Sequence, residues 1–188
     1  MKQIKRTVFA LLLMSGAMVS AQDSAYTNMI KIGVNGGAAL PSENASANVG
    51  LDLAYQHLVT PGFGLGIATG YNQFFGKEND GLQNNDFAVV PVAALLRYYP
   101  QTSGFYLGTD LGYGFITGDD KVASNSLVER PTGGLYIKPE IGYHNINWNF
   151  ALQYTKVFTS SNEGNIGSQD YSVGALGLGI GYNLPLGK

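Results

Sequence analysis

The 188-residue chain has the length of one domain, but its composition is unusual for a soluble protein. Charged residues make up only 13% of it, whereas it contains 26 glycines and 12 tyrosines. The formal net charge of −2 argues against a nucleic-acid partner, because such partners require a basic surface. The chain has no cysteine, which excludes a disulfide framework.

The first residues have the pattern of a secretory signal peptide. Three basic residues before position 7 precede the apolar run 8–14, and residues 19–21 supply the small side chains of a cleavage site. The apolar part is short of the roughly 20 residues that a membrane-spanning helix needs. We therefore predict a removed signal peptide at 1–21 and an exported domain at 22–188.

Eight stretches follow that have the length and the pattern of membrane-spanning β-strands. In seven of them, large apolar residues alternate with small or polar ones, as in Phe-Tyr-Leu-Gly-Thr-Asp-Leu-Gly-Tyr-Gly-Phe at 105–115. Successive side chains of a strand point to opposite faces, so each strand has one apolar face and one small, polar face. In chain order the stretches are 27–40, 46–57, 62–75, 87–99, 104–117, 133–144, 146–158 and 171–184.

The connections between these stretches alternate in length. The long, polar ones are 76–86, 118–132 and 159–170, the short ones are 58–61, 100–103 and 145, and the first connection, 41–45, is shorter than its place among the long ones suggests. Outer-membrane barrels have short periplasmic turns, longer outside loops and an even number of strands. We therefore predict an all-β fold, an eight-stranded antiparallel up-and-down transmembrane β-barrel with its apolar face towards lipid. A soluble lipocalin-like barrel, the alternative, would have its apolar side chains inside.

The fourth stretch, 87–99, is apolar on both faces, so its facing is predicted from Arg97 pointing inward. Pro91 in this stretch and Pro139 in the sixth each remove a backbone donor from the sheet, and a closed barrel has no free edge to accommodate that loss. We therefore expect a β-bulge at one or both prolines.

The apolar face carries aromatic residues near the strand ends. Aromatic rings are enriched at both interfaces of a membrane with water, so we interpret one set as a periplasmic aromatic girdle. Every strand supplies one member of that girdle: Tyr26, Tyr55, Phe63, Tyr98, Phe105, Tyr143, Trp148 and Tyr182. The opposite ends carry a less complete set: Tyr71, Phe75, Tyr113, Phe115, Tyr154 and Phe158.

The inward face carries three cations and three anions: Lys31, Arg97, Lys138, Asp52, Asp110 and Glu140. An eight-stranded barrel is only wide enough for side chains to fill, and unpaired buried charges are costly, so we expect these charges to pair. One interpretation is a structural network that closes the lumen. The other is a gated polar path for water or small ions, because paired charges can exchange partners.

No group of residues has the pattern of a catalytic centre. The two histidines, His57 and His144, fall at predicted periplasmic ends, and no base lies beside a nucleophile in a long loop. We expect Lys156 to face lipid between Tyr154 and Phe158 near the outer rim, where it either extends towards a lipid phosphate or simply lies at the interface. The loop acids show no regular metal-ligand spacing: Asp80, Asp86, Asp119, Asp120 and Glu163. We predict no enzyme activity, no catalytic residues, no cofactor and no metal.

In these features the chain resembles the small eight-stranded outer-membrane barrels of the OmpA and OmpX type. It is also similar, over residues 22–188, to the outer-membrane β-barrel domain proteins common in Bacteroidetes. The resemblance implies insertion into the outer membrane of a Gram-negative cell by the outer-membrane assembly machinery. It also implies contact with outer-membrane lipid and lipopolysaccharide.

We expect a structural or surface-interaction role, exercised through the three long loops on an unidentified surface ligand. The first alternative is a narrow, porin-like pore for small polar solutes or ions. The second is a lipid-modifying enzyme, for which the positions of the two histidines give no support.

Overall fold

The computed structural model describes residues 26–160 and 162–187, and the predicted signal peptide at 1–21 lies outside these ranges. In chain order the strands are β1 (Asn28–Ala39), β2 (Ala45–Thr60), β3 (Phe63–Gly76), β4 (Glu78–Asn79), β5 (Leu82–Gln83), β6 (Phe87–Tyr98), β7 (Gly104–Gly118), β8 (Gly133–His144), β9 (Trp148–Phe158) and β10 (Val173–Gly187). Within the two described ranges, we find no helix that is long and apolar enough to cross a membrane.

Eight of these strands form one closed antiparallel barrel, which confirms the predicted fold. The order around the barrel is β1-β10-β9-β8-β7-β6-β3-β2, and β1 pairs with both β2 and β10. The two short strands β4 and β5 form a separate hairpin within the connection between β3 and β6. Closure pairs the backbone groups of every barrel strand on both sides, as hydrocarbon surroundings require.

The alternating sequence pattern places large apolar side chains on the outer surface. Ile67 and Leu178 are each 68% exposed, whereas their inward neighbours are alanine and glycine. The same alternation recurs in β1, β2, β7 and β9, because successive side chains of a strand point to opposite sides of the sheet. This belt of exposed apolar residues has no counterpart in a lipocalin-like barrel, which has the opposite facing.

Strand β6, which is apolar on both faces, has the predicted orientation. Arg97 is buried inside the barrel, and the residues on either side of it point outward. The β-bulge expected at Pro91 or Pro139 is wrong. At Pro91, two residue pairs are missing from the ladder between β6 and β3, and at Pro139, two are missing from the ladder between β8 and β9. In both ladders the register is the same before and after the gap, so neither strand contains an extra residue. The opposite ladder, with β7, is continuous at both prolines. An antiparallel residue hydrogen-bonds to one neighbour only, so each proline interrupts one ladder without displacing the strand.

The connections give the barrel two different ends. Short connections at 61–62, 99–103 and 145–147 form one end, which we call the turn end. Segments 40–44, 77–86, 119–132 and 159–172 form the other, which we call the loop end.

The interior at the loop end is apolar, which differs from the expected small and ionic interior. Inward side chains from β3, β6, β7, β8, β9 and β10 meet there and pack against loop residues Val122 and Tyr171. Phe74 and Phe87 stack with ring centroids 5.0 Å apart. We call this group the loop-end cluster; its main members are Phe74, Phe87, Val89, Ile116, Val122, Tyr136, Val157, Tyr171 and Val173. Its members are at most 7% exposed, so their side chains fill the interior at that end.

Candidate functional site in the barrel interior

An ion-pair network lies below the loop-end cluster. Arg97 contacts Asp110 at 2.8 Å and Glu140 at 2.7 Å, and Lys138 contacts Asp110 and Asp52, each at 3.1 Å. These five residues form one continuous chain of alternating charge, which we call the ion-pair network. Because all but Asp52 are almost fully buried, every charge in the network depends on a partner.

The network crosses the full width of the barrel. Arg97, Asp110 and Glu140 come from the adjoining strands β6, β7 and β8. Lys138 on β8 reaches Asp52 on β2, and these two strands are directly opposite each other in the closed order. The pair therefore bridges the lumen rather than lining one wall.

Side-chain amides extend the network at its Asp52 end. Asn35 donates from Nδ2 to Asp52 Oδ2 at 2.8 Å, and Asn48 donates from Nδ2 to Asn35 Oδ1 at 3.3 Å. The second oxygen of Asp52 accepts from Lys138. Both oxygens of Asp52 are therefore occupied, one by a partner on the neighbouring strand β1 and the other by a partner on the opposite strand β8.

Lys31 lies in the interior, as predicted, but it takes part in none of the ion pairs found in residues 26–160 and 162–187. Its Nζ donates to the Tyr99 hydroxyl at 2.9 Å and to Asn149 Oδ1 at 3.3 Å. The Tyr99 hydroxyl in turn donates to Gln56 Oε1 at 2.9 Å. Of the six predicted interior charges, the structure thus brings five together and gives the sixth neutral partners.

Two cavities lie on the turn-end side of the loop-end cluster. The inner cavity, of about 70 Å³, is bordered by the ion-pair network, Lys31 and a wall of small residues that includes Gly33, Gly179 and Gly181. That volume is large enough for a few water molecules beside the charged groups. The turn-end cavity, of about 260 Å³, opens at the barrel mouth.

Tyr99 separates the two cavities. Its ring lines the turn-end cavity and lies 4.5 Å from the His144 ring and 5.6 Å from the Tyr106 ring, measured between centroids. Its hydroxyl is bonded to Lys31 and Gln56. The sequence alone shows that these tyrosines point inward, because residues an even number of positions apart in a strand share a face. Tyr99 lies two positions after the inward Arg97, and Tyr106 lies four positions before the inward Asp110. The alternation at 105–115 thus places Tyr106 inside, but only the charges of the inward face were predicted to form a network.

The predicted girdle residues occupy the turn end of the barrel. Seven of the eight lie on strands and point outward, and Phe105 is the most exposed of them at 73%. Phe105 and Tyr143 meet edge to face at 6.1 Å, and Trp148 and Tyr182 at 5.0 Å, between directly paired strands. The eighth, Tyr26, precedes β1 and lines the turn-end cavity.

The connections at the loop end bind one another. Gln169 and Asn84 exchange amide hydrogen bonds of 2.8 and 3.3 Å, and Asn125 bonds the backbone of the β4–β5 hairpin at Gly81 and Gln83. Burial raises the pKa of the Tyr171 phenol, whose ring packs 5.8 Å from Phe87. We call these joined connections (40–44, 77–86, 119–132 and 159–172) the loop cap. They contain nine carboxylates and three cations.

The remaining predicted positions give no reacting group. His57 and His144 both lie at the turn end, where His57 Nδ1 is 2.8 Å from Asn28 Oδ1 and His144 Nε2 is 3.2 Å from the Gln101 carbonyl oxygen. Lys156 bonds Ser172 at the rim of the loop end. In the part of the chain that the structure describes, no three His, Asp or Glu residues are grouped as metal ligands.

The barrel matches solved structures of small bacterial barrels. Ail, the attachment invasion locus protein of Yersinia pestis, aligns with a TM-score of 0.54 and 18% identity, over 85% of this chain and 99% of Ail. The chain has the fold of a small outer-membrane barrel. At 18% identity this likeness extends to the fold, and the predicted resemblance to barrels of the OmpA and OmpX type is confirmed at that level.

Two further outer-membrane barrels from Pseudomonas aeruginosa align less well. The outer membrane protein OprG has a TM-score of 0.47 and 16% identity, over 86% of this chain and 97% of OprG. The N-terminal β-barrel domain of OprF has a TM-score of 0.48 and 15% identity, over 85% of this chain and 99% of that domain. No family model and no curated protein sequence matches the chain.

Proposed function

We propose that this protein is an integral outer-membrane barrel that acts through its loop cap and does not conduct. The observation that carries the proposal is the lumen, which is crossed by the ion-pair network and closed at the loop end by the loop-end cluster. A closed interior leaves the outer surfaces for interaction with other molecules. The loop cap is the polar one of these surfaces.

The outer belt supports a membrane location. Contiguous exposed apolar patches of more than a few hundred Å² are rare in soluble monomers, and here the apolar side chains cover the barrel on all sides. The aromatic residues of the girdle lie at one end of this belt, where amphipathic rings meet lipid headgroups. Outer-membrane lipid is therefore the partner of the belt, with lipopolysaccharide at the loop end, and insertion is the task of the outer-membrane assembly machinery.

The loop cap is suited to recognition because it is already ordered. Hydrogen bonds join segment 159–172 both to segment 77–86 and to segment 40–44, as in the bond from the Asp170 backbone N–H to Glu43 at 3.1 Å. Arg130 fixes segment 119–132 by donating to the carbonyl oxygens of Ile116 and Asp119 at 2.6 and 2.8 Å. A surface that is ordered before binding loses little conformational entropy when a ligand binds to it.

Complementation tests the surface role against the pore. In a strain that lacks the protein and shows a phenotype, we compare the wild type with a variant in which 79–83, 124–127 and 162–165 are replaced by Gly-Ser linkers, which leaves Val122 and Ile166 in place against the loop-end cluster. Equal membrane insertion of the two is checked by fractionation and by heat-modifiable gel mobility. The surface role predicts that the linker variant fails to restore the phenotype, whereas restoration by that variant contradicts it.

A narrow pore is the second candidate, and the two cavities favour it. They lie one behind the other between the barrel mouth and Asp52 and Lys138, so Tyr99, the ion-pair network, the loop-end cluster and the loop cap are the barriers that a conducting state would have to open. Steady unitary currents of the purified wild type in a planar bilayer would establish this function. The closed lumen predicts their absence. Neither histidine lies near the loop end, so no observation supports the lipid-modifying enzyme.

A further inference from the structure

We propose that the turn-end cavity is a binding site for a small carboxylate with an apolar body, and that Lys31 selects the charge. This site lies at the opposite end of the barrel from the loop cap and is independent of the surface role. The argument rests on the shape of the cavity, the chemistry of its walls and the charge at its inner end.

The walls of the cavity are apolar over most of their area. Met29 and Leu58 are inward residues of β1 and β2, while Pro61, Ile146 and Pro185 border the opening. A volume of about 260 Å³ is close to the lower end of the range of small-molecule sites, roughly 300–1,000 Å³. The cavity is therefore large enough for a fused pair of aromatic rings and too small for a lipid.

The inner end of the cavity is aromatic and polar. The rings of Tyr99 and His144 form its floor, and Asn183 contributes a side-chain amide that bonds the Ile146 carbonyl oxygen at 3.2 Å. Aromatic rings stack favourably on other rings, worth about 0.5–1.5 kcal/mol beyond the buried area. An aromatic body therefore fits this floor better than an aliphatic chain.

The positive charge of Lys31, at the inner end of the turn-end cavity, favours an anion over a neutral molecule of the same shape. Met29 and Lys31 are successive inward residues of β1, so Lys31 lies one layer beyond the wall of the cavity, with its Nζ 5.5 Å from the centre of the Tyr99 ring. An ammonium has three donors, and two of those of Lys31 are directed at Tyr99 and Asn149. Tyr99 lies between this ammonium and the turn-end cavity, so Lys31 acts on an entering carboxylate through its positive charge rather than through a hydrogen bond.

The arrangement of the other charges adds to this selection. All three interior carboxylates, Asp52, Asp110 and Glu140, line the inner cavity, and none lines the turn-end cavity. The interior charge closest to the mouth is thus positive, and the negative charges lie deeper, where Arg97 and Lys138 pair with them. An anionic head at the mouth meets attraction first, whereas a cationic head is repelled.

The cysteine-free chain allows a direct test in lipid nanodiscs. A Leu58→Cys variant places a thiol on the cavity wall, and a Thr60→Cys variant places one at the exposed end of the same strand, outside the cavity. We measure the rate of maleimide labelling with 2-naphthoate and with its neutral analogue 2-naphthamide. Naphthoate should protect the first thiol at about tenfold lower concentration than the amide, as expected for attraction by a nearby buried positive charge, and neither should protect the second.

Adding Lys31→Met to the Leu58→Cys variant should remove the tenfold preference and leave weak, equal protection by both probes. The proposal is overturned if the wild-type background shows no protection or no preference, or if the preference survives Lys31→Met. If Lys31→Met fails to fold, Ile146→Trp replaces it, because Ile146 is 70% exposed at the opening and a larger side chain there blocks entry. Protection that persists in that variant also overturns the proposal.

Discussion

The ion-pair network makes a quantitative prediction about stability. Asp110 is 1% exposed and contacts both Arg97 and Lys138, so Asp110→Asn leaves an excess positive charge in the interior. Breaking a buried pair by removing one partner costs about 3–5 kcal/mol of unfolding free energy. Lys138→Met should cost a similar amount, because it leaves Asp110 and Asp52 without their shared cation.

The double variant distinguishes ion pairing from simple loss of packing. Asp110→Asn with Lys138→Met restores charge balance, so its cost should be about 3–5 kcal/mol rather than the sum of the two single costs. The matched control is Lys31→Met, which makes the same replacement at a lysine outside the network. It loses two hydrogen bonds from an ammonium to neutral acceptors and should cost about 1.5–3 kcal/mol, less than either network variant.

The assay is reversible urea unfolding in lipid vesicles, followed by the fluorescence of Trp148, the single tryptophan. With a urea m-value of about 2 kcal/mol per M, each single variant should lower the unfolding midpoint by roughly 1.5–2.5 M. Additive costs in the double variant, or single costs no larger than that of Lys31→Met, would refute the network as a stabilising unit.

Three further predictions concern the belt, the loop-end cluster and the loop cap. Ile67→Arg should lower the unfolding free energy by about 2–4 kcal/mol, because it places a charge on the lipid-facing belt. The control Leu127→Arg, on an exposed loop, should change the unfolding free energy by no more than about 0.5 kcal/mol. Equal effects of the two variants in urea unfolding would contradict a lipid-facing belt. Phe74→Ala should cost about 3–5 kcal/mol in the same assay, and a cost under about 1 kcal/mol would mean that the cluster is loosely packed. Gln169→Ala should speed protease cleavage in the loop cap without moving the urea midpoint, because it removes the bonds to Asn84; unchanged cleavage would show that these bonds do not order the cap.

Sequence periodicity was enough to place single residues on a face. Asp110 and Glu140 alternate with outward apolar residues, and the side-chain period of a strand is two, so their inward position follows from counting. The same count places Tyr99 and Tyr106 inside. Strand number and the two kinds of connection also follow from patterns in the chain, because a closed barrel in which all strands are antiparallel has an even count and the loops differ in composition.

The partners of the interior charges could not be derived in the same way. Lys138 and Asp52 are 86 residues apart, and their meeting depends on the stagger between strands around the whole circumference. Periodicity within one strand contains no information about that stagger. For the same reason the sequence could not show that Lys31 would have Tyr99 and Asn149 as partners rather than a carboxylate.

The loop-end cluster explains why the fourth stretch departs from the alternating pattern of the other strands. The fourth stretch is apolar on both faces, and the inner one of these faces carries Phe87 and Val89 into the cluster. Apolar residues within polar loops, such as Val122 and Tyr171, complete it. Loop composition alone gives no sign of this packing, since each of these residues stands among polar neighbours and their contacts are made across the barrel end.

The glycines of the inner face serve two purposes that sequence alone does not separate. A Cβ at Gly112 would collide with the Val92 carbonyl oxygen on the adjacent strand, so glycine there permits close approach of two backbones. A Cβ at Gly181 would meet no atom closer than 3.5 Å, and this glycine borders the inner cavity instead. Strands β1 and β10, which carry the glycine wall, lie across the barrel from β7 and β6, which carry Tyr106 and Arg97. Long side chains on one side thus occupy the space that glycines leave on the other, and the inner cavity is the part of that space which they do not fill.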